Sequence, residues 1–243
     1  MSSETVERAA GADPNPEAEG LRERKKRLMR KQLSDTATAM FLERGFDAVK
    51  VAEVAAACGV SEKTVFNYFP VKEALVMDRL EATLAAVRAG LADPTRTPVQ
   101  AALEILDREL GAMTGELTPD GSGQGHRAVR RFGDLIRTTP SLRAYQADMI
   151  DQASAAAAEV LAARAAMAAD DPEPQIAARA LLGLWRIQAD SLRRHLDHSP
   201  TPARLHELVT ADVRRAARLI DAGLRAFPAP PPPADHGDDV PAN

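Results

Sequence analysis

Val51-Ala-Glu-Val-Ala-Ala-Ala-Cys-Gly-Val-Ser-Glu-Lys-Thr-Val-Phe-Asn-Tyr-Phe-Pro-Val-Lys72 is the stretch whose reading decides the fold. Val51, Val54, Ala55 and Cys58 recur at helical spacing and draw one apolar stripe. Gly59 follows where a residue of positive φ commonly ends a helix. Ser61 then suits the N-cap of a second helix, Glu62 to Tyr68. Val65 and Phe69, four apart, can face the first helix, which leaves Lys63, Thr64, Asn67 and Tyr68 on the opposite side. Two short helices joined by a glycine turn, the second with an apolar back and a polar, basic front, make a helix-turn-helix. Such a second helix enters the DNA major groove led by its N-terminal residues.

Charge is placed to match. Lys25, Lys26, Lys31, Lys50, Lys63 and Lys72 are all the lysines of the chain. Residues 21–72 hold 11 basic and 6 acidic side chains against 20 and 29 elsewhere, so the net charge of −4 hides a basic N-terminal module. Concentrated basic charge is the footprint of a polyanion partner. Its densest run is Arg22, Arg24, Lys25, Lys26, Arg27, Arg30 and Lys31. Alone it would read as a solvated helix start; beside a helix-turn-helix it predicts phosphate or minor-groove contact.

A chain of 243 residues accommodates a small head and a larger body, each with its own core. Aromatic residues are 4% of the chain, so packing rests on aliphatic side chains. The single cysteine, Cys58, excludes an intrachain disulfide framework and suits a reducing compartment. No apolar run is long enough for a signal core or a membrane span, and a cytoplasmic protein is expected.

The periodicity predicts an all-α chain. Residues 1–20 are polar, with Gly and Pro, and read as a disordered tail. A helix-turn-helix domain over 21–70 opens with a helix from about Leu21 to Arg44, its buried face marked by Leu33, Ala37, Met40 and Phe41. A helical effector-binding and dimerisation domain is expected over 71–227. Its helices run from Val71 to about Ala89, from Pro98 to about Thr114, and over His126–Arg137, Pro140–Ala169, Pro172–Asp197 and Pro202–Ala226, mostly opened by proline. Residues 115–125 form a flexible connection, and residues 228–243, with four consecutive prolines, a solvated tail.

Ala37, Phe41, Gly45-Phe46, Val51, Val54-Ala55, Gly59-Val60-Ser61, the run Thr64 to Phe69, and Lys72-Glu-Ala-Leu75 closely resemble the DNA-binding domain of the TetR family of bacterial regulators. The match covers about residues 24–76. The resemblance implies an all-helical homodimer with a ligand-responsive C-terminal domain. It also implies that Ser61, Lys63, Thr64, Phe66, Asn67, Tyr68 and Lys72 lie at or near DNA. Phe66 stands where the family commonly has tyrosine, although its ring can still meet a thymine methyl. Lys50 stands where a helix-capping threonine is common.

The chemistry of the side chains assigns roles independently. Asn67 can pair bidentately with adenine N6 and N7, or contact a phosphate; both remain open. Lys63 reaches guanine or phosphate, and Thr64 and Tyr68 offer hydroxyls to phosphate oxygens. Lys72 adds charge near the start of the next helix. Glu62 is better read as a favourable first-turn carboxylate than as an acceptor for cytosine N4. The DNA contacts expected are Arg24, Lys25, Arg27, Lys50, Ser61, Lys63, Thr64, Phe66, Asn67, Tyr68 and Lys72.

In the body, Ile176, Ala180, Gly183 and Ile187 form one stripe and Leu181, Leu184, Gln188 and Leu192 another, so this helix is buried on two sides. The last helix has a similarly broad face. Ala180, Gly183, Ile187, Val209, Val213 and Ala216 are therefore expected at a homodimer seam. Met113, Phe132, Leu135, Ile136, Tyr145, Met149, Trp185 and Gln188 are candidates to line an effector cavity, with plain core as the competing reading. His195 and His198, with Asp197 between them, have metal-permitting spacing, but cations also suit a helix C-terminus, and no metal is expected. No nucleophile–base motif or phosphate loop appears, so neither catalysis nor a cofactor is expected. The expectation is a dimeric repressor of double-stranded DNA, released from a near-palindromic operator by a small effector; the alternative is an activator or structural regulator without a ligand.

Overall fold

The computed structural model describes residues 16–115, 117, 124–199 and 201–223. Among them the regular elements are helical: α1 (Pro16–Arg44), α2 (Val51–Ala57), α3 (Glu62–Tyr68), α4 (Asp78–Ala92), α5 (Pro98–Gly115), α6 (Gln124–Thr138), α7 (Pro140–Ala165), α8 (Pro172–His195) and α9 (Pro202–Gly223), with a 3-10 turn at Lys72–Leu75. The chain divides into two compact units after Val76.

The head is built on side chains at helical spacing. Leu33, Ala37 and Phe41 of α1 are buried with Val54 and Ala55 of α2 and Val65 and Phe69 of α3. The Phe41 ring meets that of Phe46 at a tilt, with centroids 5.0 Å apart. Each fully buried Leu, Val or Phe side chain here contributes about 1.5–3 kcal/mol. Gly45 (φ 89°) and Gly59 (φ 68°) take the left-handed conformation that ends α1 and α2, as the turn reading requires.

Three boundaries differ from the sequence expectation by four residues or more. α1 begins at Pro16, so the end of the expected 1–20 tail is helical; residues 1–15 lie outside the described residues, as do 118–123 of the expected connection and the whole 228–243 tail. The helix expected from Val71 is instead the 3-10 turn followed by α4 from Asp78. Ala74, Leu75, Val76 and Met77 are buried in succession, and four consecutive residues cannot share one face of a regular α-helix. The two compact units divide at 76/77, against the expected 70/71. Third, α7 stops at Ala165, with Ala166 left-handed at φ 54°. Met167 N–H returns to Ala162 O at 2.9 Å, a Schellman-type closure made with alanine in the place glycine favours.

In the body, α8 packs against α7, α9 and α5, α5 packs on α9, and α4 on α7 and α5. Ala157, Ala158 and Ala162 of α7 and Ala177 and Ala178 of α8 are buried, and their small side chains permit close approach. Leu106 and Leu110 of α5, Leu181 and Leu184 of α8, and Leu205 and Val209 of α9 complete the core. Arg164 caps the C-terminal end of α4 and the loop after it, donating through Nη1 to Leu91 O (2.8 Å) and Asp93 O (2.9 Å) and through Nη2 to Arg96 O (2.7 Å).

The expected dimer seam needs a correction. Val209 and Val213 are 0% and 3% exposed within the single chain. α9 packs on both α5 and α8, so these two valines are buried inside the subunit. Ala216 is half-buried against the same core. What remains outward is Ile187 (37%) with Ile176 (66%) on α8 and Leu219 (80%) on α9. Ala180 and Gly183 are half-buried between the α8 positions, and a Cβ built on Gly183 would meet nothing within 4 Å.

α8 and α9 are also joined by a polar knot. Asp212 accepts from Ser191 Oγ (2.8 Å), Arg194 Nη1 (3.1 Å) and Arg215 Nη2 (2.6 Å), with His195 Nε2 at 3.2 Å. Its side chain is 11% exposed. Burial pushes its carboxyl up, but the hydrogen bonds from Ser191, His195 and Arg215 outweigh burial and hold it below the usual carboxylate range.

Candidate nucleic-acid interface

The recognition surface is assembled from the cap of α3 outward. Ser61 Oγ accepts the N–H of Thr64 at 3.1 Å, the N-cap bond expected from sequence. The Thr64 hydroxyl lies 2.8 Å from the same Ser61 oxygen. Val65 and Phe69 anchor the helix, each 1% exposed. With the back of α3 pinned, Lys63, Phe66 and Asn67 are outward and Thr64 and Tyr68 half-buried. Phe66, 44% exposed, is a large apolar group held in solvent beside Asn67.

α2 is capped differently. Lysine has no acceptor, so the Lys50 side chain cannot cap; Glu53 Oε1 instead accepts the Lys50 N–H at 2.9 Å. That bond, followed by one from Arg44 (2.7 Å), holds the Glu53 carboxyl below its ordinary range. The Lys50 side chain is left exposed at the start of α2.

The basic run divides in two. Arg22, Arg24, Lys25, Lys26 and Arg27 are exposed on the first turns of α1. Lys31 pairs with Asp35. Arg30, by contrast, donates to the backbone oxygen of Tyr68 at 2.9 Å and lies over the Phe69 ring at 4.5 Å. Lys72, expected at the DNA face, places its ammonium 2.6 Å from Phe46 O, above the rings of Phe46 (4.3 Å) and Phe41 (5.4 Å). Neither contact is visible in local sequence, because the partners lie 38 and 26 residues away.

A capped, amphipathic second helix behind a glycine turn, with a basic helix leading in, is the arrangement shared with a family of bacterial regulators. Residues 33–78 match the family described as bacterial regulatory proteins, tetR family, and residues 122–224 match the MftR C-terminal domain. The chain is 30% identical over 174 residues to the HTH-type transcriptional regulator TcmR of Streptomyces glaucescens, covering 70% of this chain and 74% of that protein. The chain belongs to the TetR family. It is also 29% identical over 153 residues to MftR of Mycobacterium tuberculosis, named for regulation of mycofactocin biosynthesis, covering 63% of this chain and 73% of that one. A solved TetR-family regulator from Streptomyces coelicolor overlaps at a TM-score of 0.38 with 21% identity, covering 83% of this chain and 88% of that chain. TetR-family proteins are transcriptional regulators, not enzymes. Among the described residues no helix is long and apolar enough to cross a membrane.

The body of this TetR-family chain holds the other candidates. A cleft of about 170 Å³ is bordered by Leu103, Leu106 and Leu110 of α5, Gln188 of α8, and Thr210 and Val213 of α9. Gln188 is 3% exposed and donates Nε2 to Leu106 O at 3.2 Å. Thr210 Oγ1 is buried with no hydrogen-bond partner, a polar atom that no sequence pattern marks. Of the expected lining residues Gln188 borders this cleft; Met113, Phe132, Leu135, Ile136, Tyr145, Met149 and Trp185 do not. Met113 and Trp185 pack on the core, Met149 is buried, and Phe132, Leu135, Ile136 and Tyr145 are half-buried on α6 and α7. Trp185 donates Nε1 to Glu109 Oε2 at 2.9 Å, and Glu109 also accepts from Thr83 of α4. Among the described residues no three His, Cys, Asp or Glu side chains are grouped to hold a metal; His195 is engaged with Asp212 and His206 with Asp107.

Proposed function

We propose that this chain is a homodimeric repressor that binds a near-palindromic operator and leaves it when a small molecule occupies the body. The observation that carries the reading is the outward row Lys63, Phe66 and Asn67 on a helix pinned from behind. Asn67 reads a base edge, Phe66 meets a thymine methyl, and Ser61, Lys63, Thr64 and Tyr68 reach base edges or phosphate. Lys50 and the exposed Arg24, Lys25 and Arg27 of α1 add phosphate or minor-groove contacts outside the major groove.

Dimerisation follows from apolar surface that one chain leaves open. Ile176, Ile187 and Leu219 stand out of the α8–α9 layer with Ala180 and Gly183 between them, and a second copy would cover them across a two-fold axis. Two heads so joined reach successive major grooves about one helical turn apart. The cleft beside Gln188 and Thr210 is small against effector pockets of about 300–1,000 Å³, so a ligand would have to open it. An effector moving the protein from nearly all bound to nearly all released needs about a 10⁴-fold preference for the released state.

Selection of duplexes from a random pool, followed by fluorescence anisotropy on the enriched sequence, tests the reading. A palindromic site bound by two chains supports it, and a small-molecule screen for release completes it. Binding of single half-sites by monomers would defeat the dimer model. Tight operator binding that no ligand alters would favour the regulator without effector.

A further inference from the structure

The cleft of about 170 Å³ between α5, α8 and α9 is bordered by a hydroxyl that the fold leaves without a partner. We propose that this cleft binds one uncharged, hydroxylated ring of phenol size, and that Thr210 recognises the ring's hydroxyl.

Other buried hydroxyls on the body's helices are turned back on their own backbone. Thr83 Oγ1 donates to Arg79 O (3.0 Å), Thr114 Oγ1 to Leu110 O (2.9 Å) and Ser154 Oγ to Ile150 O (2.8 Å), each four residues earlier. Thr210 Oγ1 is buried and makes no such bond. It borders the cleft. A buried hydroxyl without a partner destabilises a fold, and a group that bonds to it relieves that penalty. Gln188 borders the same cleft and supplies a second polar atom. Its Nε2 donates to Leu106 O at 3.2 Å. A carbonyl can only accept, so this bond fixes the amide and leaves Oε1 as its acceptor. A ligand hydroxyl can accept from Thr210 and also donate to such an oxygen; an ether or ketone can only accept.

The rest of the lining sets charge and size. Leu106, Leu110 and Val213 are 1%, 1% and 3% exposed, and Leu103 is partly buried on the same core. A ligand charge placed among them would be desolvated without a counter-ion. At the rim Glu104 pairs with Arg96 (2.5 Å) and Asp107 with His206 (3.1 Å), while Arg214 is exposed to water. The cleft far exceeds the share of one water, about 30 Å³, and is close to an apolar cavity of about 150 Å³ that takes benzene. One six-membered ring with one hydroxyl meets all three conditions.

This inference deepens the effector reading and rests on it for its regulatory consequence: the ring is the part of an effector that the cleft takes before it opens. Binding itself is measured without DNA. Full-length protein with labelled Leu and Val methyl groups is titrated with phenol, toluene and benzoate and followed by NMR. Phenol is expected to saturate and to shift the methyls of Leu103, Leu106, Leu110 and Val213. Toluene, of the same size without the hydroxyl, binds about tenfold more weakly, the worth of one hydrogen bond. Benzoate leaves the methyls unmoved. Thr210→Val keeps the shape and removes the hydroxyl, so phenol and toluene then bind alike. Its ligand-free melt is no lower than that of the unmodified protein, because no hydrogen bond has been lost.

Toluene bound as tightly as phenol by the unmodified protein overturns the proposal, as does benzoate bound more tightly than phenol. Phenol shifts confined to methyls away from the cleft, a Thr210→Val protein that still prefers phenol, or a destabilised Thr210→Val overturns it equally. The effector reading fails separately. Phenol that occupies the cleft while no small molecule alters operator affinity would sink that reading and leave this site standing. Release of operator by another small molecule, with no phenol bound in the cleft, would do the reverse.

Discussion

Asn67 and Asp212 show what single side chains decide. Asn67 is exposed on a helix whose back is fully buried, so Asn67→Ala leaves the head folded and removes one amide. If the amide reads adenine, specific binding falls by about 1–3 kcal/mol and discrimination relaxes at one base pair per half-site. Competition among single-base operator variants checks this; equal weakening on every duplex would show a phosphate contact instead. Asp212 makes a prediction about pH. Its carboxyl is held below the ordinary range in the fold, so it stabilises the body at and above the usual carboxylate range. That stability disappears as pH falls through the lowered folded value. Asp212→Asn costs about 1–3 kcal/mol at neutral pH, the worth of hydrogen bonds to a charged group that is mostly buried. The difference between Asn and Asp in thermal melts narrows on acidification; a constant difference down to strong acid would refute the assignment.

At the scale of elements, the end of α7 and the start of α1 carry the clearest consequences. Ala166 holds φ 54° without being glycine, a conformation that costs an L residue about 1–2 kcal/mol. Ala166→Gly relieves that cost, offset in part by the greater freedom of glycine in the unfolded chain. The net gain is up to about 1 kcal/mol, a rise in Tm of a few degrees by calorimetry; a lower Tm would show that the methyl group is needed where it is. The first turns of α1 behave in the opposite way, contributing to binding rather than to stability. Arg24, Lys25 and Arg27 are exposed, so their joint replacement by glutamine leaves the melt unchanged and weakens operator and scrambled duplex alike. The salt slope falls by about 0.9 for each phosphate that a removed cation had neutralised. Arg30 is left out of that set because its guanidinium is occupied at the end of α3.

The whole molecule is where assembly is decided. Val213, a seam residue by apolar spacing, is 3% exposed in its own subunit. Val213→Asp would bury an unpaired charge in the core and report on folding, not on association. Ile187 and Leu219 are the informative positions, since both stand out of the α8–α9 layer. Ile187→Glu combined with Leu219→Glu places like charges near their two-fold mates. Light scattering is expected to show folded monomers at micromolar concentration, with operator affinity reduced to that of a half-site. Dimers that survive both substitutions would locate the interface elsewhere.

The order of helices, the glycine turn and the capped recognition helix were legible in the sequence, because each follows from contacts within a few residues. Ser61 caps Thr64 three positions away, Gly59 ends its own helix, and Val65 and Phe69 share a face by helical periodicity. The polar front of α3 follows directly from that buried back. What the periodicity could not say is which partner covers an apolar stripe or a cation. Val209 and Val213 look the same in sequence whether a sister subunit or α5 buries them, and tertiary packing chose α5 and α8. Arg30 and Lys72 look like the cations around them until the Phe69, Phe46 and Phe41 rings and two backbone oxygens are brought beside them. Local chemistry set the elements; the pairing of distant surfaces, which only folding brings together, set what each exposed or buried group is free to do.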